Sequence, residues 1–304
     1  MRLKTNENYR YIKVKNLFLG SVIYVFRALY WRFFCKRKQT VTINTDGGVF
    51  TVYSDDDVIG KQIFCGLSYE NILTSAVIDF LNSCKNEQKY LGETFLDIGA
   101  NMGISSISMV KENFFKRAIA IEPDPKNYFL LQENVIQNNL SKSFACLPVA
   151  VTDTECVVEL TRNLANYGDT RITKVSSKSG SKNKIINVKA DSIDNLLLRS
   201  VDSKFSSNIS LVWIDVQGHE GYIFKGGPKL FTKNVPVVSE IWPYGIKKSG
   251  IKIDEYLSLV KKYWKNYFTL KNKNWTKHSI MDFPVFLSSI NDPLKYENII
   301  FYNN

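Results

Sequence analysis

From residue 94 onward, short runs of apolar residues alternate with longer segments in which apolar residues recur at helical spacing. The apolar runs are Thr94–Ile98, Ala118–Ile121, Phe144–Val151, Leu211–Val216, Val235–Ile241 and Asn298–Tyr302. The helical segments between them include Ile104–Lys111, Asn127–Asn138, Asp191–Leu198 and Ile253–Tyr263. Strands that are apolar throughout and are separated by helices pair in parallel and are covered on both faces. We therefore expect residues 94–304 to form an α/β domain with a mostly parallel sheet and helices on both faces.

Two different segments precede this alternating region. In residues 40–93, apolar and polar residues alternate on both sides of Asp46-Gly47, which predicts a β-hairpin. Apolar spacing over Tyr69–Cys84 predicts a helix that leads into the α/β domain. Residues 1–39 form a basic and aromatic-rich arm, which we expect to be helical.

The charge of the chain is concentrated in this arm. The net charge is +11, and residues 1–40 hold ten basic side chains and a single acidic one, Glu7. The remainder of the chain is therefore almost neutral. A protein that tracks nucleic-acid phosphates needs its cations around the binding groove, so we expect nucleic acid not to be the partner.

The arm also contains an apolar run, Leu17–Phe34, which Arg27 and Arg32 interrupt. Its longest charge-free stretch is too short to cross a bilayer as a helix. Residues 13–38 have two main interpretations: a helix packed on the catalytic domain, or an interfacial helix with aromatic residues at headgroup level and cations facing anionic lipid. A true membrane span is a third.

The cysteine content indicates the compartment. The chain has five cysteines, an odd number, and no two are spaced as Cys-x-x-Cys. This argues against a disulfide framework and against a zinc site, and it is typical of a reducing compartment. We therefore expect a cytoplasmic protein, with membrane association at the cytoplasmic face as an addition that the arm suggests.

The strongest local motif is a strand that ends in an acid and is followed by a glycine turn and a helix, over Phe95–Gly103. Glycine lets a ligand approach the backbone, and a helix start offers free N–H groups. The next apolar run ends in Glu122, at the spacing where a carboxylate accepts both ribose hydroxyls of a nucleoside. The turn lacks the Gly-x-Gly-x-x-Gly spacing that seats a pyrophosphate, so a nucleoside such as S-adenosylmethionine is favoured over a dinucleotide.

Five segments in this order resemble the FkbM family of methyltransferases. They read DIGANMG (97–103), EPDPKNYFLLQENVIQNN (122–139), PVAVTD (148–153), WIDVQGHEGYIFKGG (213–227) and VPVVSEIWP (235–243). The resemblance implies a Rossmann-like seven-stranded sheet and the cofactor S-adenosyl-L-methionine. It also implies O-methylation, often of a sugar hydroxyl on a glycan or natural product.

The resemblance assigns roles to individual residues of this chain. The methionine portion of the cofactor would contact Asp97, Gly99, Asn101 and Gly103. Glu122 would bind the ribose, and the residues near adenine would be Ala150, Val151 and Asp153. All of these lie at or just after the ends of predicted strands.

The fourth segment departs from the family pattern. The family usually has Asp-x-Glu-Gly-x-Glu, whereas this chain has Gln217 in place of the first Glu. A neutral amide removes a charge that a metal would need, so we predict no metal site. The alternative is a divalent ion among Asp215, Glu220 and Glu240.

The candidate catalytic residues follow the ends of two predicted strands, where open α/β sheets bind ligands. They are Asp215, His219, Glu220 and Glu240. We expect Asp215 to be the general base or to orient the acceptor hydroxyl, and Glu220 and Glu240 to contact sugar hydroxyls. His219 is a further candidate because its ordinary pKa is near neutrality.

These features predict an O-methyltransferase that acts on a small-molecule or glycan acceptor. One alternative keeps the chemistry and changes the acceptor to a lipid, a small natural product or RNA. Another is a catalytically silent module that binds a nucleoside or glycan at a membrane. Transfer of a labelled methyl group distinguishes the enzyme from the silent module.

Overall fold

The structure is a computed structural model, and it describes residues 23–66, 69–85, 92–162, 168, 170–172 and 184–304. Most of the predicted arm, residues 1–22, lies outside the described residues. The described helices longer than a 3₁₀ turn are α1 (23–33), α2 (Ile59–Cys65), α3 (Tyr69–Lys85), α4 (Ile104–Lys111), α5 (Pro125–Gln137), α6 (Ile193–Arg199), α7 (Ser203–Ser206), α8 (Glu220–Gly226), α9 (Pro228–Phe231), α10 (Pro243–Lys248), α11 (Ile253–Tyr263) and α12 (Phe283–Ser289). The strands are β1 (Thr40–Thr45), β2 (Gly48–Tyr53), β3 (Gly92–Ile98), β4 (Phe115–Ile121), β5 (Phe144–Leu147), β6 (Ala150–Thr152), β7 (Cys156–Arg162), β8 (Arg171–Ile172), β9 (Lys184–Ser192), β10 (Ile209–Ile214), β11 (Val237–Ile241), β12 (Asn266–Lys271), β13 (Asn274–Ser279) and β14 (Glu297–Phe301).

The main sheet has the strand order β13-β12-β14-β11-β10-β3-β4-β5. The five strands from β11 to β5 pair in parallel, and β14 runs antiparallel to β11. The predicted α/β architecture is thus confirmed. The seven strands from β5 to β12 form the bulk of the sheet, and β13 adds an eighth at the edge through a tight turn in which Asn272 and Lys273 both have positive φ.

Each central strand is buried on both faces. In β3, Phe95 belongs to the hydrophobic core on one side of the sheet, and the next residue, Leu96, belongs to the core on the other side. The same alternation occurs in β10, where Leu211 and Val212 pack on opposite sides. Helices on both faces supply the partners, as continuous apolar strands require.

One predicted strand is two strands in the structure. The run Phe144–Val151 was expected to be continuous, which is wrong: β5 ends at Leu147, and β6 begins at Ala150 in a separate four-stranded sheet of order β6-β9-β7-β8. Pro148 lies between them, and proline has no N–H to continue a ladder. The chain therefore leaves the main sheet at Pro148.

The predicted hairpin is confirmed, with Thr45 opposite Gly48 across the turn. It is attached to the α/β domain through side chains at the end of α5, because Asn134 in the helix and Asn138 just after it accept hydrogen bonds from the backbone N–H groups of Thr51 (2.7 Å) and Val49 (2.9 Å). The end of the predicted arm is attached as well: Trp31 and Cys35 are buried in the same core as Phe50 and Phe95. The three predicted segments therefore share one core. Among the helices that the structure describes, none has the length and apolarity to cross a membrane.

Candidate functional site

A cavity of about 460 Å³ lies at the carboxyl ends of the central strands. Its acidic lining residues come from neighbouring strands of the sheet: Glu122 follows β4, Asp97 is in β3, Asp215 follows β10, and Glu240 is in β11. Neighbouring strands are about 4.8 Å apart, so these side chains form a row along one edge of the sheet. This edge is where open parallel sheets bind ligands.

The turn after β3 is built from alternating left-handed residues. Gly99, Asn101 and Gly103 have φ values of 92°, 51° and 81°. Glycine and asparagine adopt this conformation more readily than other residues, which explains the spacing of the motif. The turn delivers the chain into α4, and Gly99 and Asn101 line the cavity.

Two of these glycines are needed for packing. A Cβ on Gly99 would lie 1.9 Å from the carbonyl oxygen of Asp215, so the turn after β3 directly contacts the turn after β10. A Cβ on Gly103 would lie 2.5 Å from Cδ1 of Leu131 in α5, and Gly103 is not part of the cavity wall. Gly99 therefore allows the turns after β3 and β10 to lie in contact, whereas Gly103 allows the start of α4 to pack against α5.

Glu122 is held by the backbone on two sides. Its Oε2 accepts a hydrogen bond from the N–H of Asn101 (2.8 Å), and its Oε1 accepts one from the N–H of Asp124 (2.9 Å). Burial raises its pKa to about 8, against these two hydrogen bonds, which lower it. In the ionised form, each oxygen keeps a second lone pair for a ligand hydroxyl, as the predicted ribose contact requires.

The neighbouring acids are also fixed in place. Asp97 is buried and accepts a hydrogen bond from the hydroxyl of Ser106 in α4. Asp124 caps α5 and forms a buried bidentate ion pair with Arg162 of β7, with both N···O distances at 2.5 Å. This pair connects the small sheet to the residues next to Glu122, and nothing in the spacing of the sequence indicates it.

The predicted adenine contacts divide into two groups. Ala150 and Val151 line the cavity, as does Leu160 of β7. Asp153 is not part of the cavity wall; its carboxylate is 3.3 Å from the ammonium group of Lys225. An adenine contact is therefore better supported for Ala150 and Val151 than for Asp153.

A single amide connects the two acids at the other end of the row. Gln217 Nε2 donates to Asp215 Oδ1 at 2.8 Å and to Glu240 Oε1 at 3.4 Å. Gln217 has a φ of 55°, and at Gly218 a Cβ would lie 2.2 Å from the backbone carbon of Gly245. The sharp turn that these residues make folds the Gln217 side chain back between the two carboxylates.

The environment of these two acids favours their protonated forms. Burial raises the pKa of Glu240, and the nearby carboxylates of Asp215 and Glu220 raise it further, while Arg171 opposes the rise. Burial also raises the pKa of Asp215, and the Gln217 hydrogen bond opposes that rise. Asp215 is exposed to the cavity and to solvent, whereas Glu240 is half-buried. We therefore expect Asp215 to ionise first and Glu240 to keep its proton.

His219 and Glu220 lie behind the cavity wall rather than in it. His219 is buried, with Nε2 at 3.1 Å from the hydroxyl of Thr152 and its ring stacked on Tyr222. Glu220 is 1% exposed, accepts a hydrogen bond from the N–H of Gly218 at 3.1 Å, and has a pKa that burial raises to about 7. Neither residue meets an acceptor hydroxyl in this arrangement, so their predicted catalytic roles lack support from the geometry.

The charge of the cavity favours a cationic ligand. Of the described residues that line it, four carry carboxyl groups and one, Arg171, carries a positive charge. A dinucleotide pyrophosphate would meet these carboxyl groups and raise their pKa values further, whereas a positively charged sulfonium favours their ionised forms and is attracted to them. Asn101 also has a buried Oδ1 with no hydrogen-bond partner among the described residues, and this residue lines the cavity. The residues present therefore fit S-adenosylmethionine. No group of three or more possible metal ligands is found within the described part of the chain.

Besides Gly168 and the residues 170–172 in and before β8, sequence reasoning missed two larger parts of the cavity wall. One is α2 with the residue before it, which contributes Val58, Ile59, Gln62 and Ile63. The other comes from the C-terminal part of the chain, where Asn298 pairs with Glu240 across β14 and β11 and Tyr296 lies close by. The strand that contains Asn298 was predicted, but its antiparallel pairing with β11 has no signal in the sequence.

Solved structures with a similar fold include methyltransferases of several kinds. The FkbM methyltransferase from Methylobacillus flagellatus is 13% identical, with a TM-score of 0.44; the match covers 81% of this chain and only 55% of that protein. An O-methyltransferase from Bacillus cereus in complex with SAH is 10% identical over 77% of this chain and 81% of that one, with a TM-score of 0.38. A precorrin-6y C5,15-methyltransferase from Geobacter metallireducens is 10% identical over 76% of this chain and 88% of that one, with a TM-score of 0.37. At such low scores none of the three bears on the acceptor.

Among curated protein sequences, the chain has no match. The family model described as the methyltransferase FkbM domain matches residues 97–266, from the first acid of the glycine turn to the start of β12. That match covers more than half of the chain. The protein therefore belongs to the FkbM family of S-adenosylmethionine-dependent methyltransferases.

Proposed function

We propose that this protein transfers a methyl group from S-adenosylmethionine to a hydroxyl of a sugar or glycan. The observation that carries the proposal is the pair Asp215 and Glu240, bridged by Gln217 and facing the same cavity as Glu122. The row of acids provides a cofactor end at Glu122 and Asp97 and an acceptor end at Asp215 and Glu240. Methyl transfer requires these two ends to be adjacent.

In this proposal Asp215 receives the proton of the acceptor hydroxyl. When bound, S-adenosylmethionine supplies a methyl group on a positively charged sulfur, which is already a strong electrophile. Holding a hydroxyl in line with that group contributes about 7–11 kcal/mol by proximity and orientation. A general base adds about 10²–10⁴-fold. The Gln217 amide fixes the direction of the Asp215 carboxylate, and Glu240, which keeps its proton, adds no second negative charge.

The polar lining at the acceptor end supports a sugar. Glu240, Arg171 and Asn298 offer hydrogen-bond donors and acceptors, and Tyr296 adds an aromatic ring with a hydroxyl. A polyhydroxylated acceptor matches such a surface because each buried hydroxyl needs a partner. Lipids and small natural products are the alternative acceptors with which sugars and glycans should be compared.

The test is methyl transfer from labelled S-adenosylmethionine to nucleotide sugars, glycans and lipids, with Asp215→Asn as the diagnostic variant. This change keeps the shape and removes the charge, so we expect turnover to fall at least 10²-fold while cofactor affinity stays within a few fold. The matched control is Glu93→Gln, an exposed acid near the start of β3, at the opposite edge of the sheet.

Two results would contradict the proposal. Normal turnover of Asp215→Asn with a verified acceptor would remove this residue from the mechanism. Tight binding of S-adenosylhomocysteine without methyl transfer to any acceptor class would favour the silent binding module instead.

A further inference from the structure

Helix α1 is anchored to the protein by one narrow face. Tyr24, Ala28 and Trp31 follow each other at intervals of four and three residues, so they lie on one side of α1, and Cys35 follows in the 3₁₀ turn after the helix. All four are buried or half-buried, and Trp31 is 1% exposed. The Trp31 ring packs on Phe64 of α2, with 5.4 Å between centroids.

The remaining surface of this helix is apolar and exposed. Seven large apolar side chains are exposed along it and just after it: Ile23, Val25, Phe26, Leu29, Tyr30, Phe33 and Phe34. Phe26, for example, is 68% exposed. Single exposed apolar residues are normal, but a contiguous apolar surface of this kind is typical of an interaction site.

Cations are interleaved with these apolar residues. Residues 23–38 contain five basic side chains, Arg27, Arg32, Lys36, Arg37 and Lys38, and no acidic one. The Arg32 guanidinium lies 5.9 Å from the centre of the Phe33 ring, and Arg37 lies 5.9 Å from that of Phe34. A second copy of the chain on this face would bring like charges together, which is unfavourable. An anionic partner with an apolar interior satisfies both the charge and the apolar surface.

We propose that the exposed face of α1, together with Arg37 and Lys38, docks on the surface of an anionic lipid bilayer; Lys36 is already paired with Asp57 at 2.6 Å. The helix lies in the plane of the interface, with its aromatic side chains in the headgroup region and its cations against the lipid phosphates. Its anchored side remains on α2, and α2 contributes Ile59, Gln62 and Ile63 to the cavity wall. The bilayer is then one helix away from the cavity. This proposal is independent of the acceptor.

The experiment measures binding of the full chain to vesicles of phosphatidylcholine alone and of phosphatidylcholine mixed equally with phosphatidylglycerol. An aromatic variant carries Phe26→Ser, Leu29→Ser and Phe33→Ser. A cation variant carries Arg32→Gln, Arg37→Gln and Lys38→Gln. The matched control, Leu198→Ser with Val285→Ser, changes two equally exposed apolar residues on α6 and α12. All variants retain Trp31, and urea unfolding checks that each is folded.

We expect the parent to bind the anionic vesicles and to be released as salt rises. Each lost cation should weaken binding about fivefold, the aromatic variant should weaken it at least tenfold, and the control should bind like the parent. No binding by the parent would overturn the proposal, as would equal binding by the parent and both variants. Self-association of the parent without vesicle binding, lost in the aromatic variant, would also overturn it, because a second copy would then cover this face.

Discussion

Replacing Gln217 by glutamate would place a third carboxylate between Asp215 and Glu240. The amide nitrogen is 2.8 Å from Asp215 Oδ1 and 3.4 Å from Glu240 Oε1. The substitution keeps the size of the side chain and turns the attractive contact with Asp215 into a repulsive one, whereas the protonated Glu240 carboxyl can donate a hydrogen bond to the new carboxylate. Two unit charges at such a distance repel by about 1.5 kcal/mol in water and about 6 kcal/mol at an effective dielectric of 20. Because Asp215 faces a solvated cavity, we expect a loss of about 1.5–3 kcal/mol in unfolding free energy.

The loss should depend on pH and on divalent cations. The new carboxylate gains protons on folding, so the deficit relative to the parent should be small near pH 5 and should grow as pH rises toward 8. Mn²⁺ or Ca²⁺ should reduce the deficit, since three adjacent carboxylates form a site for a hard cation. Urea unfolding at both pH values, with chelator or with metal, measures this.

Gln217→Met is the control, because it removes the amide without adding charge. Its deficit should be independent of metal, and it should grow less with pH than that of Gln217→Glu, because only the hydrogen bond that lowers the pKa of Asp215 is lost. A Gln217→Glu protein as stable as the parent at pH 8 in chelator would refute the reasoning, since the two acids would then not be held against residue 217.

Three further outcomes follow from the same geometry. Glu122→Ala should weaken S-adenosylhomocysteine binding by about 1–3 kcal/mol in calorimetry, and unchanged affinity would exclude the ribose contact. The pKa of Glu122 is raised from the usual 4.5 to about 8, and that of Glu220 to about 7. Between pH 4.5 and the raised pKa of each group, the folded protein therefore binds more protons than the unfolded chain. Unfolding free energy should therefore fall as pH rises from about 5 to about 8, by up to about 1.4 kcal/mol per pH unit for each group; a flat profile in urea titrations would contradict these shifts. Gly99→Ala should prevent stable folding, because its Cβ would overlap the Asp215 carbonyl, and a melting temperature like the parent's would show that this contact is not made.

The sequence predicts the parts of the site that depend on local conformation. Gly99, Asn101 and Gly103 occur where the backbone is left-handed, and Asp215 and Glu122 follow apolar strands, so their positions along the sheet edge could be inferred. In the same way, the hairpin turn and the strand–helix alternation result from residues close together in the chain.

Contacts between distant residues could not be predicted in this way. His219 and Glu220 belong to a motif whose first acid faces the cavity, but the turn at Gly218 directs them into the core instead. The pairing of Arg162 with Asp124 joins two sheets and has no periodic signal. For the same reason, α2 was not recognised as part of the cavity wall.

The wall of the cavity is drawn from nearly the whole chain, from Val58 before α2 to Asn298 in β14. During synthesis, the glycine turn and Glu122 leave the ribosome long before the strand that places Asn298 beside Glu240. The acceptor end of the cavity is thus complete only after residue 298 has emerged and β14 has inserted between β11 and β12. An acceptor can therefore bind only the finished protein, whereas the proposed cofactor contacts Asp97, Glu122, Ala150 and Val151 have all been synthesised much earlier.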